Sequence, residues 1–323
     1  MSRYALFDRS RLVLRPLDER EHDMHLDYVL DIDAPVEPYV HANLPLLVER
    51  IAAARAAGRP VMLMMGAHVI KQGCSRFICA MLRRGMITHV AGNGACIIHD
   101  YELARIGAST ESVARYIREG QFGLWREDGE INRIASGGAA NDLGLGEAIG
   151  RAVARSSFPH RDLSIYATAY ELGVPATVHV GIGYDIIGEL PNFDGAAFGE
   201  TSYTDFLIFA AQVEKLEGGV LLNVGSAVMG PEVYLKALSM ARNVAKQEGR
   251  EIRHFSTAVF DLIPIEGDYH RQAGKSEPGY YYRPWKTILV RTVADGGESF
   301  YFAGDHRQTM PTLYRQLAQR MGV

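Results

Sequence analysis

The chain of 323 residues carries a formal net charge of −4 and has a pI of about 6.3, so it lacks the basic surface typical of nucleic-acid-binding proteins. Its 47% apolar and 22% charged residues are typical of a globular protein. No run reaches the roughly 18 apolar residues of a membrane helix, and residues 1–20 lack the apolar core of a secretory signal. We therefore expect a soluble, cytoplasmic protein without nucleic-acid or membrane partners.

The chain has three cysteines, Cys74, Cys79 and Cys96. An odd and low count argues against a disulfide framework and favours a reducing compartment, which agrees with the cytoplasm. His89 and His99 flank Cys96, but their spacing matches no zinc-binding pattern. We expect no bound metal.

Apolar runs alternate with amphipathic segments along the chain. In chain order, the pattern predicts a helix over 45–57, a strand over 61–65, a helix over 74–84, a strand over 87–91, a helix over 160–172, a strand over 176–180, a helix over 203–216, a strand over 220–224, a helix over 231–248, strands over 258–262 and 287–292, and a helix over 309–320. Strands that alternate with helices predict an α/β fold, namely a Rossmann-like parallel sheet with helices on both faces.

Four of these strands run into glycine-containing turns. In an open parallel sheet the ligand crevice lies outside the carboxyl ends of the strands. Glycine there lets backbone N–H groups approach a ligand, although each turn alone could simply be tight. The turn at Gly66 marks the crevice, and the candidate cofactor-binding residues are Gly92, Asn93, Gly94, Gly181, Gly183, Gly225 and Ser226. No G-x-G-x-x-G or Walker A motif is present.

No long linker divides the sequence. Residues 136–140 form a short flexible-looking run, and residues 266–283 read as a long loop rich in glycine, tyrosine and charge. Long loops in compact domains are often functional. We predict a single domain over residues 1–323, with residues 1–42 as an N-terminal extension.

Several segments together resemble the deoxyhypusine synthase family. They are GCSRFICAMLRRGMITHVAGNGACIIHDYEL at 73–103, LWREDGEINRI at 124–134, HVGIGYD at 179–185, VGSAVMG at 224–230 and PGYYYRPWKTI at 278–288. The second is the most specific local match, and the resemblance spans residues 60–320. It implies a deoxyhypusine synthase-like fold and a homo-oligomer, a dimer or a homotetramer, whose sites are completed across an interface.

The resemblance also implies a reaction. Enzymes of this family use NAD to oxidise the polyamine spermidine, form an imine at a lysine and pass the aminobutyl group to a lysine of a translation factor. Lys286 is the matching nucleophile here, with Asp185 and Trp285 as substrate-binding residues. The family's cofactor-contacting aspartate falls at Val180, and its pocket histidine falls near residues 230–231. These departures favour a small-amine substrate over a translation factor.

Four histidines, His68, His89, His99 and His179, lie near predicted strand ends, where they could serve as acid or base. His179 is the best catalytic candidate because it precedes Gly181 and Asp185. The leading hypothesis is NAD-dependent aminoalkyl transfer from a polyamine or related small amine. The alternatives are a cofactor-free hydrolase or lyase that uses the histidines, and a non-catalytic ligand-binding protein.

Overall fold

Eight strands occur in the computed structural model, which describes residues 2–323. They are β1 (Met24–His25), β2 (Val61–Met65), β3 (His89–Asn93), β4 (Ala108–Ser109), β5 (Ala176–His179), β6 (Val220–Val224), β7 (Ser256–Asp261) and β8 (Glu298–Ala303). Strands β1 and β4 form a separate antiparallel pair. The other six form one parallel sheet. Together with the helices around it, this sheet confirms the predicted Rossmann-like α/β fold.

Eleven α-helices accompany the strands in the described chain. They are α1 (Leu44–Ala56), α2 (His68–Lys71), α3 (Ser75–Arg83), α4 (Gly94–Ile106), α5 (Val113–Glu119), α6 (Gly129–Ala139), α7 (Leu145–Ala154), α8 (Ile165–Glu171), α9 (Gly195–Val213), α10 (Met229–Gln247) and α11 (His306–Met321). A π-helix covers Pro284–Arg291. Within residues 2–323, no helix has the length and apolar character needed to cross a membrane.

The strand order of the sheet is β5-β3-β2-β6-β7-β8. The chain therefore builds the sheet outward from β2 in one direction and then outward from β6 in the other, as in the two halves of a dinucleotide-binding fold. Strands β2 and β6 are neighbours, with Leu63 opposite Leu222. The strand order reverses between these two strands, and such a switch point is where open α/β sheets bind ligands.

Both faces of the sheet are covered. All five residues of β2 are buried, and they alternate between two hydrophobic clusters, with Leu63 in the larger cluster and Met64 in the smaller. This alternation explains the uninterrupted apolar runs of the sequence, because a parallel strand buried on both faces has no polar side.

Most predicted elements are confirmed, and strands 61–65 and 220–224 match at both ends. The strand predicted over 287–292 is wrong, because this run forms part of the π-helix. Its Thr292 N–H donates to the Thr287 carbonyl five residues earlier, at 3.1 Å, and Ile288 and Leu289 pack into the smaller cluster. The sixth strand is β8 instead.

The prediction of a flexible run at 136–140 is wrong, because these residues form the last turn and the C-cap of α6. The helix predicted over 160–172 begins only at Ile165, since the Ser164 hydroxyl accepts from the Ala167 amide and caps it. The long loop at 266–283 is confirmed and contains only a short 3₁₀ turn.

The N-terminal segment is attached to the rest of the chain. Met24 in β1 pairs with Ser109 in β4, and Met24 and Val29 both belong to the larger hydrophobic cluster. The predicted domain boundaries, with residues 1–42 as an extension, stay a prediction.

Candidate functional site

A cavity of about 510 Å³ lies at the switch point, along the carboxyl ends of β2, β3, β5 and β6. Its walls include Gly66, Asn93, His179, Gly225 and Ser226. All five were chosen from the sequence, either as turn residues or as a strand-end histidine. The structure therefore brings them together around one crevice, which we call the main cavity.

Gly66 and Gly225 bring the two halves of the sheet into close backbone contact. A Cβ atom on Gly66 would lie 2.0 Å from the Gly225 carbonyl oxygen. Gly225 has a φ of 59°, in the left-handed region, and a Cβ there would lie 2.8 Å from Nε2 of the buried His306. Both positions therefore require glycine for space, and Gly225 also requires it for its backbone conformation.

Two helices begin at the main cavity. Asn93 caps α4, with its Oδ1 accepting from the Cys96 amide at 3.2 Å. At α10 the Ser226 hydroxyl accepts from the Gly230 amide at 2.9 Å, and Pro231 has no N–H. Among the first three residues of α10, this leaves the Met229 amide for a ligand. The positive ends of two helix dipoles at one crevice favour an anionic group there.

A second cavity, of about 200 Å³, adjoins the main cavity. Tyr184 lines both cavities. Six ionisable side chains besides tyrosine line the second cavity: Arg20, Lys71, His99, Glu102, Glu111 and Asp185. Only His99 and Asp185 were singled out from the sequence. Charged side chains therefore line the second cavity, whereas the main cavity is lined by glycine and uncharged side chains.

Asp185 lies over the first residue of α4. Its Oδ2 atom is buried and has no hydrogen-bond partner within residues 2–323, and a Cβ on Gly94 would lie 2.1 Å from it. Glycine at position 94 therefore makes room for this carboxylate. Burial raises the pKa of Asp185 to about 6. The group is mostly ionised at neutral pH and can accept from a cationic ligand.

A buried ion pair forms one wall of the second cavity. The Arg20 guanidinium lies 2.7 Å from a Glu102 oxygen, and both side chains are almost fully buried. The Ser109 hydroxyl donates to the other Glu102 oxygen at 2.6 Å. Burial opposes ionisation of Glu102, but His99, Arg20 and Ser109 outweigh it and hold its pKa below the usual range. Glu102 is therefore ionised and forms an ion pair with Arg20, although its Oε1 and the Arg20 Nη2 are not aligned for a hydrogen bond.

His179 belongs to a chain of hydrogen bonds inside the sheet. Its Nε2 lies 3.1 Å from the Thr177 hydroxyl, which lies 2.9 Å from Nε2 of His89. Burial lowers the pKa of His179 to about 4 and that of His89 to about 3. Both imidazoles are therefore neutral at pH 7, and His179 faces the main cavity as an uncharged acid or base.

Lys286 and Trp285 line neither cavity. They lie on the π-helix, where the Lys286 ammonium sits 4.4 Å from the centre of the Tyr280 ring and the Trp285 indole donates to the Tyr269 carbonyl at 3.1 Å. The structure therefore does not bring these two predicted residues to the crevice of their own chain. Their catalytic and substrate-binding roles stay predictions.

The other predicted cofactor residues have local structural uses. Gly92 is buried in β3, where a Cβ would lie 2.4 Å from the Tyr166 hydroxyl. Gly181 makes room for the ring of Tyr184, and Gly183 has a φ of 99° in the same turn. Of these glycines, Gly181 contacts Tyr184, which lines both cavities.

Sequence reasoning missed Arg20, Lys71, Glu102 and Glu111. Lys71 ends the short helix that follows the turn at Gly66. This position was the only sign in the sequence that Lys71 lies near the crevice. Arg20 comes from the N-terminal segment, and nothing in the sequence connects it with Glu102 across the more than eighty residues that separate them.

We expect Lys286→Met to leave the affinity of both cavities for ligands unchanged, because Lys286 lines neither. Calorimetric titration of NAD and of a small amine into both proteins checks this. Weaker binding by the variant would contradict the placement. Lost turnover with unchanged binding would instead indicate that Lys286 acts at the crevice of another copy.

The sheet, its switch point and the crevice there define a Rossmann-like α/β protein. No family model matches the sequence, and no curated protein is significantly similar to it. The chain is similar in structure to an arginine dihydrolase from the ornithine-ammonia cycle in cyanobacteria, with a TM-score of 0.52 and 15% identity over 87% of this chain. It spans only 33% of that longer protein.

Two other solved structures are similar. A conserved LOR/SDH protein from Methanococcus maripaludis S2 has a TM-score of 0.50 and 13% identity, covering 93% of this chain and 74% of that one. A protein from Entamoeba histolytica described as a deoxyhypusine synthase has a TM-score of 0.46 and 8% identity, over 85% and 87% of the two chains. The similarity to the Methanococcus maripaludis protein supports the fold alone. The similarity to the Entamoeba histolytica protein is too weak to identify a family.

Proposed function

We propose that this chain is an enzyme that binds NAD across the switch point and acts on a small cationic amine held beside it. The observation that carries the proposal is the adjacency of the two cavities, which share Tyr184. One is a crevice suited to a nucleotide, and the other is lined by Asp185, one of whose carboxylate oxygens is buried without a partner. NAD would take a hydride from the carbon next to the amine nitrogen while that nitrogen loses a proton, giving an imine and NADH.

The main cavity fits a dinucleotide through its backbone. Gly66 and Gly225 let two backbone segments approach closely at the switch point, and the Met229 amide stands at the start of α10 beside the cavity. The fit departs from the usual pattern at the ribose, because Asn93 stands at the end of β3, where an acidic residue is typical. Asn93 Oδ1 already accepts from the Cys96 amide. We therefore expect weaker NAD binding than in enzymes with the acidic residue.

The second cavity fits an ammonium group through Asp185. A buried carboxylate oxygen without a partner is costly, and an ammonium donor would remove that cost. His179 lines the main cavity in neutral form and is the side chain that we expect to exchange a proton with the ligand. Aminoalkyl transfer through an imine at Lys286 would require Lys286 from another copy, in a homodimer or homotetramer.

Asp185→Asn should weaken binding of 1-aminobutane about tenfold or more, because a charge-assisted hydrogen bond contributes roughly 1.5–3 kcal/mol. In the native protein the affinity should also fall as the pH drops below about 6, since protonation of Asp185 removes the negative charge. The variant should lose this pH dependence. Calorimetry at several pH values measures both, and equal affinity of the two proteins would remove Asp185 from the amine site.

The decisive test is titration of NAD into the purified protein, followed by the amine at saturating NAD with absorbance recorded for NADH. We expect NAD binding and amine-dependent NADH formation. Absence of NAD binding would overturn the cofactor assignment. Amine turnover without NAD would favour the second candidate, a hydrolase or lyase, which is supported by the hydrogen-bonded chain that joins His179 through Thr177 to His89.

A further inference from the structure

We propose that the ligand of the second cavity is an amino acid in its zwitterionic form, with its ammonium group at Asp185 and its carboxylate at Lys71. This inference deepens the proposed amine function and rests on it. It replaces a polyamine with a class of substrate in which a positive and a negative group are bonded to the same carbon atom. The argument comes from the partners of each charged side chain that lines the cavity.

Three of the lining charges are already satisfied by the protein. Arg20 is paired with Glu102 in the buried ion pair. One oxygen of Glu111 accepts from the Gly123 amide at 3.1 Å, and the other accepts from the Trp125 indole at 2.9 Å. Each of these three side chains therefore already has a partner within the protein.

The sixth, His99, contacts the Ser109 hydroxyl through its Nδ1 at 2.6 Å. That leaves Lys71 and Asp185 for a ligand, and their charges have opposite signs. Lys71 ends α2, is exposed, and takes part in none of the salt bridges found among residues 2–323. Asp185 has a buried oxygen without a partner. A complementary ligand therefore carries one negative and one positive group. A polyamine would satisfy Asp185 but would bring a second cation toward Lys71, which is unfavourable.

The remaining walls and the volume agree with a small amino acid. Ile98, Val113, Phe122 and Ile186 line the cavity with apolar surface. The volume of about 200 Å³ corresponds to about seven water molecules, at roughly 30 Å³ each in the liquid. An aliphatic side chain of a few carbons would fill this space against the apolar wall.

A matched pair of probes tests the inference by calorimetry. 1-Aminobutane and norvaline differ only by the carboxylate of norvaline. We expect norvaline to bind native protein about fivefold more tightly, the upper end for a partly exposed ion pair. Lys71→Met should remove that preference and leave 1-aminobutane unaffected, while Lys71→Arg should keep it. Lys215→Met, which removes an exposed lysine elsewhere, controls for net charge.

The outcomes separate this inference from the proposed function. Equal affinity for the two probes, or a preference that survives Lys71→Met, overturns the amino-acid assignment. If 1-aminobutane binds through Asp185 under those conditions, the amine function stands. If neither probe binds to native protein and Asp185→Asn changes nothing, both proposals fail.

Discussion

Arg20→Met is expected to lower the free energy of unfolding by about 3–5 kcal/mol, because it leaves the buried carboxylate of Glu102 without its cation. The Glu102 side chain is fully buried and Arg20 lies 2.7 Å from it. The hydrogen bond from Ser109 at 2.6 Å would remain, but a neutral hydroxyl does not compensate a buried charge. Urea denaturation followed by circular dichroism measures the loss.

The pH dependence of this loss has a defined sign. In the native protein the pKa of Glu102 is held below its unfolded value, so the stability it contributes is present at neutral pH and is lost only in strong acid. Without Arg20 the pKa of Glu102 rises, and the carboxyl is protonated more easily. The difference in stability between variant and native protein should therefore shrink as the pH falls from 7 toward 4.

Arg320→Met provides the control for this experiment. Arg320 pairs with Glu49 at 2.6 Å, but both side chains are about half exposed. Exposed pairs contribute little because water screens them. We expect no resolvable change in stability. A loss for Arg20→Met as small as that for Arg320→Met would show that the Arg20–Glu102 pair does not stabilise the fold.

Gly66→Ala is expected to abolish NAD binding and to destabilise the fold by about 1–3 kcal/mol, the usual cost of overpacking. The new Cβ would lie 2.0 Å from the Gly225 carbonyl oxygen. Two backbone segments would have to separate, since neither can rotate away like a side chain. That separation changes the shape of the main cavity at the switch point.

Gly146→Ala is the matched control. Its Cβ would lie 1.9 Å from the Ala176 carbonyl oxygen, a clash of the same kind at the opposite end of the sheet. We expect a similar loss of stability with unchanged NAD affinity of the folded protein. Thermal unfolding and calorimetry below the unfolding transition separate the two effects. Equal loss of NAD binding in both variants would mean that the crevice at Gly66 is not the nucleotide site.

The sheet was predictable because its strands are buried on both faces and end in glycine. The run at 61–65 is apolar throughout, and the run at 220–224 is apolar except for Asn223. This local pattern places both their limits and the crevice at their ends. The run at 287–292 has the apolar residues Ile288, Leu289 and Val290 at its centre, but these lie in a π-helix. A short apolar run does not by itself distinguish a buried strand from a buried helical turn.

The charged cavity was not predictable, because its parts are distant in sequence. Arg20 meets Glu102, and Lys71 shares a cavity with Asp185, only after the chain has folded. Of the ionisable side chains that line it, the sequence singled out only His99 and Asp185. Local patterns indicate where a crevice lies, whereas the charges around it depend on long-range packing.

The hydroxyl of Thr177 limits where His89 and His179 can carry their ring hydrogens. It contacts Nε2 of both His89 and His179, and a hydroxyl carries one hydrogen, so it can donate to only one of them. At least one of the two imidazoles must therefore supply its own N–H from Nε2. Since both rings are neutral at pH 7, that imidazole has no hydrogen on Nδ1. The two histidines therefore cannot both carry their hydrogen on Nδ1 while both contacts are kept.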